Sequence, residues 1–406
     1  MVRRIGILTG GGDCGGLNAV IEGATRVAVN NGIEVDGILN GWEGGVYDDR
    51  HPLRISDVEG IHSKTGTDLC TTRTNPYNFT GELSGENLVK VDVSARVIEN
   101  ANRAGLEAII VVGGDDTLSV VRRREEGGTL RGLSVDYKDA PLFIGVPKTM
   151  DGDLQTYSLG LDTAINRAKQ TIEDFIPILA ANRSIGFVEI FGRDVGRVTF
   201  KAGISAGADA ILIPEVPIDL DYLADFLATR YDERAKRNNG ISYAVVAVAE
   251  GTSSPVDGKQ VYQEPGKDSF GHGKLGGIGD KLAKLIYDRL KNDPRIRAHT
   301  RKLDIKTKRP TYDVRGGATL YSDSYIGLKL GIAAVQAVLN KVKSGMAVVN
   351  FNEHNQIEIM PIDKLVEPRL VHMKLLDAFE AAGIYCFGRR PLGHYENPVF
   401  HAINRE

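Results

Sequence analysis

The chain predicts an α/β protein of two three-layer domains with mainly parallel sheets. Short apolar runs alternate with helical patterns from the first residues onward. The runs are bounded by Gly or Pro, as buried parallel strands are. A length of 406 residues exceeds what one ordinary core holds, so two such units fit it, with a cleft between them.

The strand candidates are Ile5 to Leu8, Val35 to Leu39, Ala108 to Val112, Leu142 to Val146, Ile185 to Ile190, Ala210 to Ile213 and Tyr243 to Ala249. Between them, Asn18 to Asn30 and Val93 to Ala104 read as helices. A third helix spans Thr163 to Leu179, with Ile165, Ala168, Ile172, Phe175 and Leu179 on one stripe. This alternation argues for parallel sheets covered on both faces. Three regions break it. His51 to Gly85 is long and polar, which predicts a segment folded over a site. Thr252 to Gly279 is a glycine-rich insertion before a helix over Lys281 to Leu290. Beyond Gly345 come a strand, Ala347 to Asn350, and an amphipathic stretch, Arg369 to Ala381.

Bulk properties narrow the function. A hydrophobic content of 42% and a charged content of 25% are those of a globular protein. The formal net charge of −3 gives no reason to expect nucleic acid or an anionic membrane as partner. Cys14, Cys70 and Cys386 share no metal-type spacing and cannot all pair, which favours a reducing cytoplasm. Cys14 has no His or base beside it and reads as a space-filling thiol. Met1-Val2-Arg3-Arg4-Ile5 enters a strand without an apolar leader, and no run approaches a membrane span.

Two acidic loops carry the chemistry. Gly113-Gly114-Asp115-Asp116 follows one buried strand, and Pro147-Lys148-Thr149-Met150-Asp151-Gly152-Asp153 follows another. In an open α/β sheet the loops at the carboxyl ends of strands form the binding crevice. Four carboxylates and one ammonium there suit a magnesium-bound polyphosphate and a base acting on an alcohol. A third loop, Thr9-Gly10-Gly11-Gly12-Asp13-Cys14-Gly15-Gly16-Leu17-Asn18, runs from the first strand into a helix. Its glycines let the backbone approach an anion, and the helix N-terminus adds N–H groups and a favourable dipole. It is neither a Walker A sequence nor a dinucleotide fingerprint, which argues against a dinucleotide-binding oxidoreductase.

These loops, together with Arg73-Thr74-Asn75-Pro76, Phe191-Gly192-Arg193, Glu250-Gly251 and Tyr312-Asp313-Val314-Arg315-Gly316-Gly317, occur in an order that resembles the phosphofructokinases. The resemblance covers roughly residues 3 to 340. It implies two Rossmann-like α/β domains, magnesium, and phosphorylation of the 1-hydroxyl of fructose 6-phosphate. It also implies a homodimer or homotetramer. ATP users in this family commonly have Gly where this chain has Asp116 and Lys148. A carboxylate at 116 would oppose the α-phosphate of a nucleotide. Two like charges about 4 Å apart cost on the order of 4 kcal/mol at an effective dielectric near 20. Pyrophosphate ends before that position, and Lys148 offers it a compact charge. The resemblance is therefore to the pyrophosphate-dependent 6-phosphofructokinases. The alternatives are an ATP-dependent enzyme, or a kinase of the same fold for another sugar phosphate such as sedoheptulose 7-phosphate.

Residue by residue, the resemblance gives Asp115 to magnesium and Asp151 to the proton of the attacking hydroxyl, with Asp116 and Lys148 beside the transferring phosphoryl. Gly12, Arg73, Asp116 and Lys148 bind the donor. Thr149, Asp151, Asp153, Phe191, Gly192, Arg193, Glu250, Tyr312 and Arg315 bind the acceptor. Trp42 falls near the adenine region of ATP users. Departures stand out: Phe191 replaces a usual Met, Gly152 replaces a usual Asn, and Arg183 is displaced by one position from an expected arginine. Lys306, Lys308 and Arg309 lie where another phosphate-binding arginine is expected. The predicted organisation is a donor domain over 1–148, completed by part of 252–310. A sugar-phosphate domain follows over 149–251 with 311–345, and an extension over 346–406 packs on it.

Overall fold

The computed structural model describes residues 2–84, 87–154, 156–157, 159–263, 273–350, 357–365, 370–381 and 386–389. The strands of its two larger sheets are β1 (Arg4–Thr9), β2 (Glu34–Ile38), β3 (Arg50–Leu53), β4 (Ala108–Gly113), β5 (Leu142–Pro147), β6 (Ser184–Ile190), β7 (Ala210–Leu212), β8 (Ala244–Ala249), β9 (Asp304–Lys308), β10 (Met346–Asn350) and β11 (Ile357–Pro361). The longer helices are α1 (Leu17–Asn30), α2 (Ser94–Arg103), α3 (Asp115–Val121), α4 (Leu161–Asn182), α5 (Arg197–Ala206), α6 (Leu220–Arg237), α7 (Ile278–Leu290), α8 (Tyr321–Leu339) and α9 (Met373–Ala381). The chain divides into two compact units. One is Met1–Ala164 with Gly266–Gly273 and Arg315–Arg369; the other is Ile165–Pro265 with Lys274–Val314 and Leu370–Glu406. Among the described residues, no helix is long and apolar enough to cross a membrane.

The first unit is built on a seven-stranded sheet ordered β11-β10-β5-β4-β1-β2-β3. Its five central strands run parallel, and the edge strands β3 and β11 are antiparallel. Every residue of β4 is buried, which explains its uninterrupted apolar run: both faces of the sheet are covered. Pro52 is tolerated in β3 because an edge strand has one side without ladder bonds. A core of Leu8, Trp42, Val97, Val111, Phe143 and Val349 fills this unit. Helix α8 lies close against α1 because glycines meet backbone there. A Cβ on Gly327 would come within 2.6 Å of the Gly16 carbonyl oxygen, and one on Gly331 would strike that of Val20.

The second unit holds a four-stranded parallel sheet ordered β7-β8-β6-β9. Phe187, Leu227, Tyr231, Val246 and Ile286 form its core. The buried Asp209 accepts from both terminal nitrogens of Arg234, at 3.0 and 2.8 Å, which ties α6 to the start of β7.

The sheets correct the predicted domain limits. The first unit continues to residue 164 instead of ending at 148. Residues 311–345, expected in the sugar-phosphate domain, contribute α8 to the first unit through its glycine contacts with α1. Most of 252–310, expected to complete the donor domain, supplies α7 and β9 to the second unit, where β9 extends the sheet along β6. The extension does not pack as one piece. Strand β10 pairs with β5 (Met346 with Ile144, Ala347 with Gly145) and satisfies an otherwise open sheet edge in the first unit. Helix α9 belongs to the second unit, where Phe379 packs on Phe200 at 5.7 Å between ring centroids. Residues 264–272 of the glycine-rich insertion lie outside the described residues.

Arg122 and Arg124 hold the far end of the β10–β11 hairpin. Both donate to the buried carboxylate of Asp363, at 2.5 and 2.8 Å. Removing a buried partner is costly, but both arginines keep access to water, which moderates the loss. Asp363→Ala should destabilise the protein by about 1–3 kcal/mol. Urea unfolding checks it; an unchanged midpoint would mean the hairpin contributes nothing to the first unit.

Candidate functional site

The register of β1, β4 and β5 brings the three loops to one edge. Thr9 is paired with Val112, and Gly113 with Pro147, so these strands end nearly level and in parallel. The phosphate loop, α3 and the 148–153 loop therefore leave the sheet side by side. Gly10 donates to the Val112 carbonyl at 2.9 Å, and the Lys148 amide donates to that of Gly113 at 2.9 Å.

Thr117 shows why two of the glycines are required. Its side chain fills the space between Gly10 and Gly113: a Cβ on Gly10 would come within 2.6 Å of its Cγ2, and one on Gly113 would collide with it. The phosphate loop and the head of α3 are thus packed on one small side chain. Trp42 is buried in the core, and its Nε1 donates to the Thr117 carbonyl at 3.0 Å, so it supports α3 instead of facing an adenine region.

The polar 51–85 segment lies against the phosphate loop. Thr71 donates its hydroxyl to the Gly11 carbonyl at 2.7 Å, Gly11 donates to the Thr72 carbonyl at 3.1 Å, and Thr9 shares a hydroxyl bond with Thr67 at 2.8 Å. These threonines went unremarked in the sequence. Their crowding just before Arg73 is the signal that could have found them.

Cations converge on the same loop. The buried Lys148 ammonium donates to the Gly12 carbonyl. Burial pushes its pKa down, and the positive charges of Arg315 and Arg73 push the same way against Cys14 and Asp151. Arg315 donates to the Asp13 carbonyl at 3.0 Å, and its guanidinium covers the space a side chain at Gly12 would need. Arg315, which the resemblance gives to the acceptor, thus has its head on the phosphate loop. Cys14 is inert, its thiol pushed up to about 12 by burial.

Carboxylates face these cations. Asp115 and Asp116 open α3, the first exposed and the second half-buried. Thr149 accepts from the Asp151 amide at 3.1 Å, which tightens the turn, and Gly152 sits at φ +70°, a conformation that suits Gly better than the usual Asn. Burial pushes the Asp153 carboxyl up to about 7, with added repulsion from Asp151 and Asp115. One buried oxygen of Asp153 has no hydrogen-bond donor among the described residues. Crowded carboxylates with an oxygen to spare fit a hard divalent cation. Among the described residues no three acidic, His or Cys groups close into a cage.

The remaining predicted residues lie in the second unit. Glu250 and Gly251 follow β8, and their amides donate to Ile190 at 2.9 Å and to Gly192 at 3.0 Å. This brings Glu250 beside Phe191, Gly192 and Arg193, which follow β6. Gly251 must be glycine, because a Cβ there would strike the Arg193 carbonyl. Tyr312 is 71% exposed and packs edge-on against Phe191 at 6.2 Å. The basic stretch is engaged within the fold. Lys306 pairs with Asp304 at 2.6 Å, Arg309 pairs with Glu189 and Asp280, and Lys308 lies over the Phe175 ring. Arg183 terminates α4 at φ +50° and reaches the His299 carbonyl at 3.5 Å.

The family model for phosphofructokinase matches residues 4–338. The pyrophosphate–fructose 6-phosphate 1-phosphotransferase of Dictyoglomus thermophilum is 36% identical over 373 residues, covering 90% of this chain and 95% of its own. That of Amycolatopsis methanolica is 34% identical over 341 residues, 82% of this chain and 87% of its own. The ATP-dependent 6-phosphofructokinase 2 of Clostridium perfringens is 32% identical over 356 residues, 87% of this chain and 89% of its own. In fold, the chain is similar to the crystal structure of a pyrophosphate-dependent phosphofructokinase from Marinobacter aquaeolei. The TM-score is 0.67 at 18% identity, over 92% of this chain and 86% of that one. A match across most of its length, with relatives above 30% identity, shows that the chain belongs to the phosphofructokinase family.

Proposed function

We propose that the protein transfers a phosphoryl group from pyrophosphate to the 1-hydroxyl of fructose 6-phosphate, giving fructose 1,6-bisphosphate and phosphate. The observation that carries this reading is the set of three cations, Lys148, Arg73 and Arg315, gathered at the glycine loop beside the carboxylates that open α3. A polyanion would relieve the repulsion that Arg315 and Arg73 exert on Lys148. The loop and the α1 N-terminus add backbone dipoles of the same sense. Asp116 then limits the anion's length, since a nucleotide would bring its α-phosphate against a half-buried carboxylate.

Magnesium fits the carboxylate side, with Asp115 as its holder; bound there, it neutralises charge on the phosphates. Asp151 accepts the proton of the attacking hydroxyl, and Thr149 fixes the turn that aims it. Asp153, near neutrality in its titration, tunes Asp151 by its charge. Lys148 stabilises charge on the group in transfer. On the second unit, Arg193 suits a sugar phosphate and Glu250 suits sugar hydroxyls, with Phe191 and Tyr312 as an apolar wall. The unpaired cysteines favour a cytoplasmic protein, and the family resemblance implies a homo-oligomer.

A second reading, ATP as donor, draws on the Clostridium relative and on a cavity of about 190 Å³ lined by Glu43, Tyr47, Arg73, Thr74 and Phe79. Steady-state kinetics with both donors at fixed free Mg²⁺ separates the two. Pyrophosphate should give the far larger kcat/KM; parity or better with ATP would sink the donor assignment. In the same assay Asp116→Gly should raise the ATP-to-pyrophosphate ratio by up to roughly three powers of ten, the equivalent of about 4 kcal/mol. An unchanged ratio would show that Asp116 does not discriminate.

Asp151→Ala should lower kcat by at least about two powers of ten with small changes in KM, the signature of a lost general base. Near-normal turnover in a folded variant would assign the proton to another group.

A further inference from the structure

We propose that Asp323, in the first turn of α8, is a positioning residue for the loop that carries Lys148, Asp151 and Asp153, and that it acts through Gly160 and Thr163. This rests on the reading of that loop as catalytic. The Asp323 side chain is fully buried and accepts three hydrogen bonds. The Gly160 amide donates to one oxygen at 2.9 Å; the Thr163 amide and hydroxyl donate to the other at 2.8 and 2.6 Å. Burial raises the carboxyl, and these donors pull it back.

Three segments meet around Asp323. Leu159 forms a parallel bridge with Lys148, so the acidic loop begins at a neck formed by that pair. Gly160 is the next residue. It stands at φ +89°, and a Cβ there would meet the Cys14 sulfur at 2.5 Å, so the neck rests on the phosphate loop. Thr163, the third residue of α4, lies against Gly15: a Cβ on Gly15 would approach the Thr163 hydroxyl to 2.7 Å. The Thr163 hydroxyl oxygen in turn accepts from the Leu320 amide at 3.1 Å. Finally, Gly16 lies close to the Asp323 main-chain carbonyl, which a Cβ would reach at 2.9 Å. The carboxylate therefore fixes the neck of the acidic loop and the start of α4, while the phosphate loop packs on Thr163 and on the Asp323 main chain. A shift there moves the Lys148 ammonium away from the Gly12 carbonyl it now contacts. An error of about 1 Å in such a contact can cost on the order of 100-fold in rate.

Asp323→Asn keeps the shape but turns an amide donor toward either Gly160 or Thr163, both of which are donors. The full chain is assayed with the donor the wild type uses, and hydrogen–deuterium exchange is followed alongside. In the folded variant, amides of 148–154 and 159–163 should exchange faster, with β6 and β8 unaffected. The value of kcat should fall roughly 10- to 100-fold. Should Asp323→Asn fail to fold, Thr163→Val removes one of the three donors. It should produce the same exchange pattern, with a fall in kcat of about threefold or more. Unchanged exchange in these segments, or faster exchange with kcat within about twofold of wild type, overturns the proposal. A merely structural role would lower the melting temperature and leave kcat below it intact. A wild type that turns over neither pyrophosphate nor ATP would overturn the functional reading alone, and exchange would still decide the role of Asp323 at the neck.

Discussion

Everything at the candidate site depends on the hydrogen-bond register of three neighbouring parallel strands. Pairing Thr9 with Val112 and Gly113 with Pro147 makes β1, β4 and β5 end together. A slip of one residue would turn their buried side chains to the opposite face of the sheet. With both faces covered by helices, no strand can slip without exposing apolar surface. The register thus places a glycine loop, a pair of aspartates and a lysine-bearing loop within reach of one another before any ligand arrives.

Opposed charge is the second organising fact. Arg315 and Arg73 act against the charged form of Lys148, and Asp151 and Asp115 act against the charged form of Asp153. A fold that accumulates both kinds of repulsion on adjoining loops stores part of its stability in the ligands it is built to receive. A polyphosphate would relieve the cations, and a divalent ion would relieve the carboxylates. Close packing keeps the two sets from collapsing onto each other. Thr117 fills the space between Gly10 and Gly113, and the Trp42 indole holds the Thr117 carbonyl from below.

The hairpin of β10 and β11 carries the same logic past residue 338, where the family match ends. It closes the edge of β5 and lodges Asp363 between Arg122 and Arg124, directly after α3. The Asn350 carbonyl also accepts from the Tyr157 amide at 3.2 Å, so one segment touches the surroundings of both acidic loops. Support for the site thus reaches well beyond the residues nearest the chemistry.

Local pattern alone was enough for the strands β1, β2, β4, β5, β6 and β8 and for helices α1, α2 and α4, because a fully buried run or an apolar stripe is written in consecutive residues. The candidate residues of the three loops were legible for a related reason: Gly-Gly-Asp-Asp and Lys-Thr-x-Asp-x-Asp are chemical groups at fixed short spacing. Strand β9 was missed because Asp304 to Lys308 is polar and half-exposed at a sheet edge. The placement of 311–345 and of β10 was also misjudged. Which sheet edge a strand closes, or which helix a glycine face fits, depends on surfaces assembled from distant parts of the chain. Asp323 shows the same limit. The sequence determined which chemistry the chain carries, because side-chain types and local spacing are intrinsic to it. Only the tertiary structure decided which of those groups meet, because burial, repulsion and close backbone approach exist only after distant segments have packed.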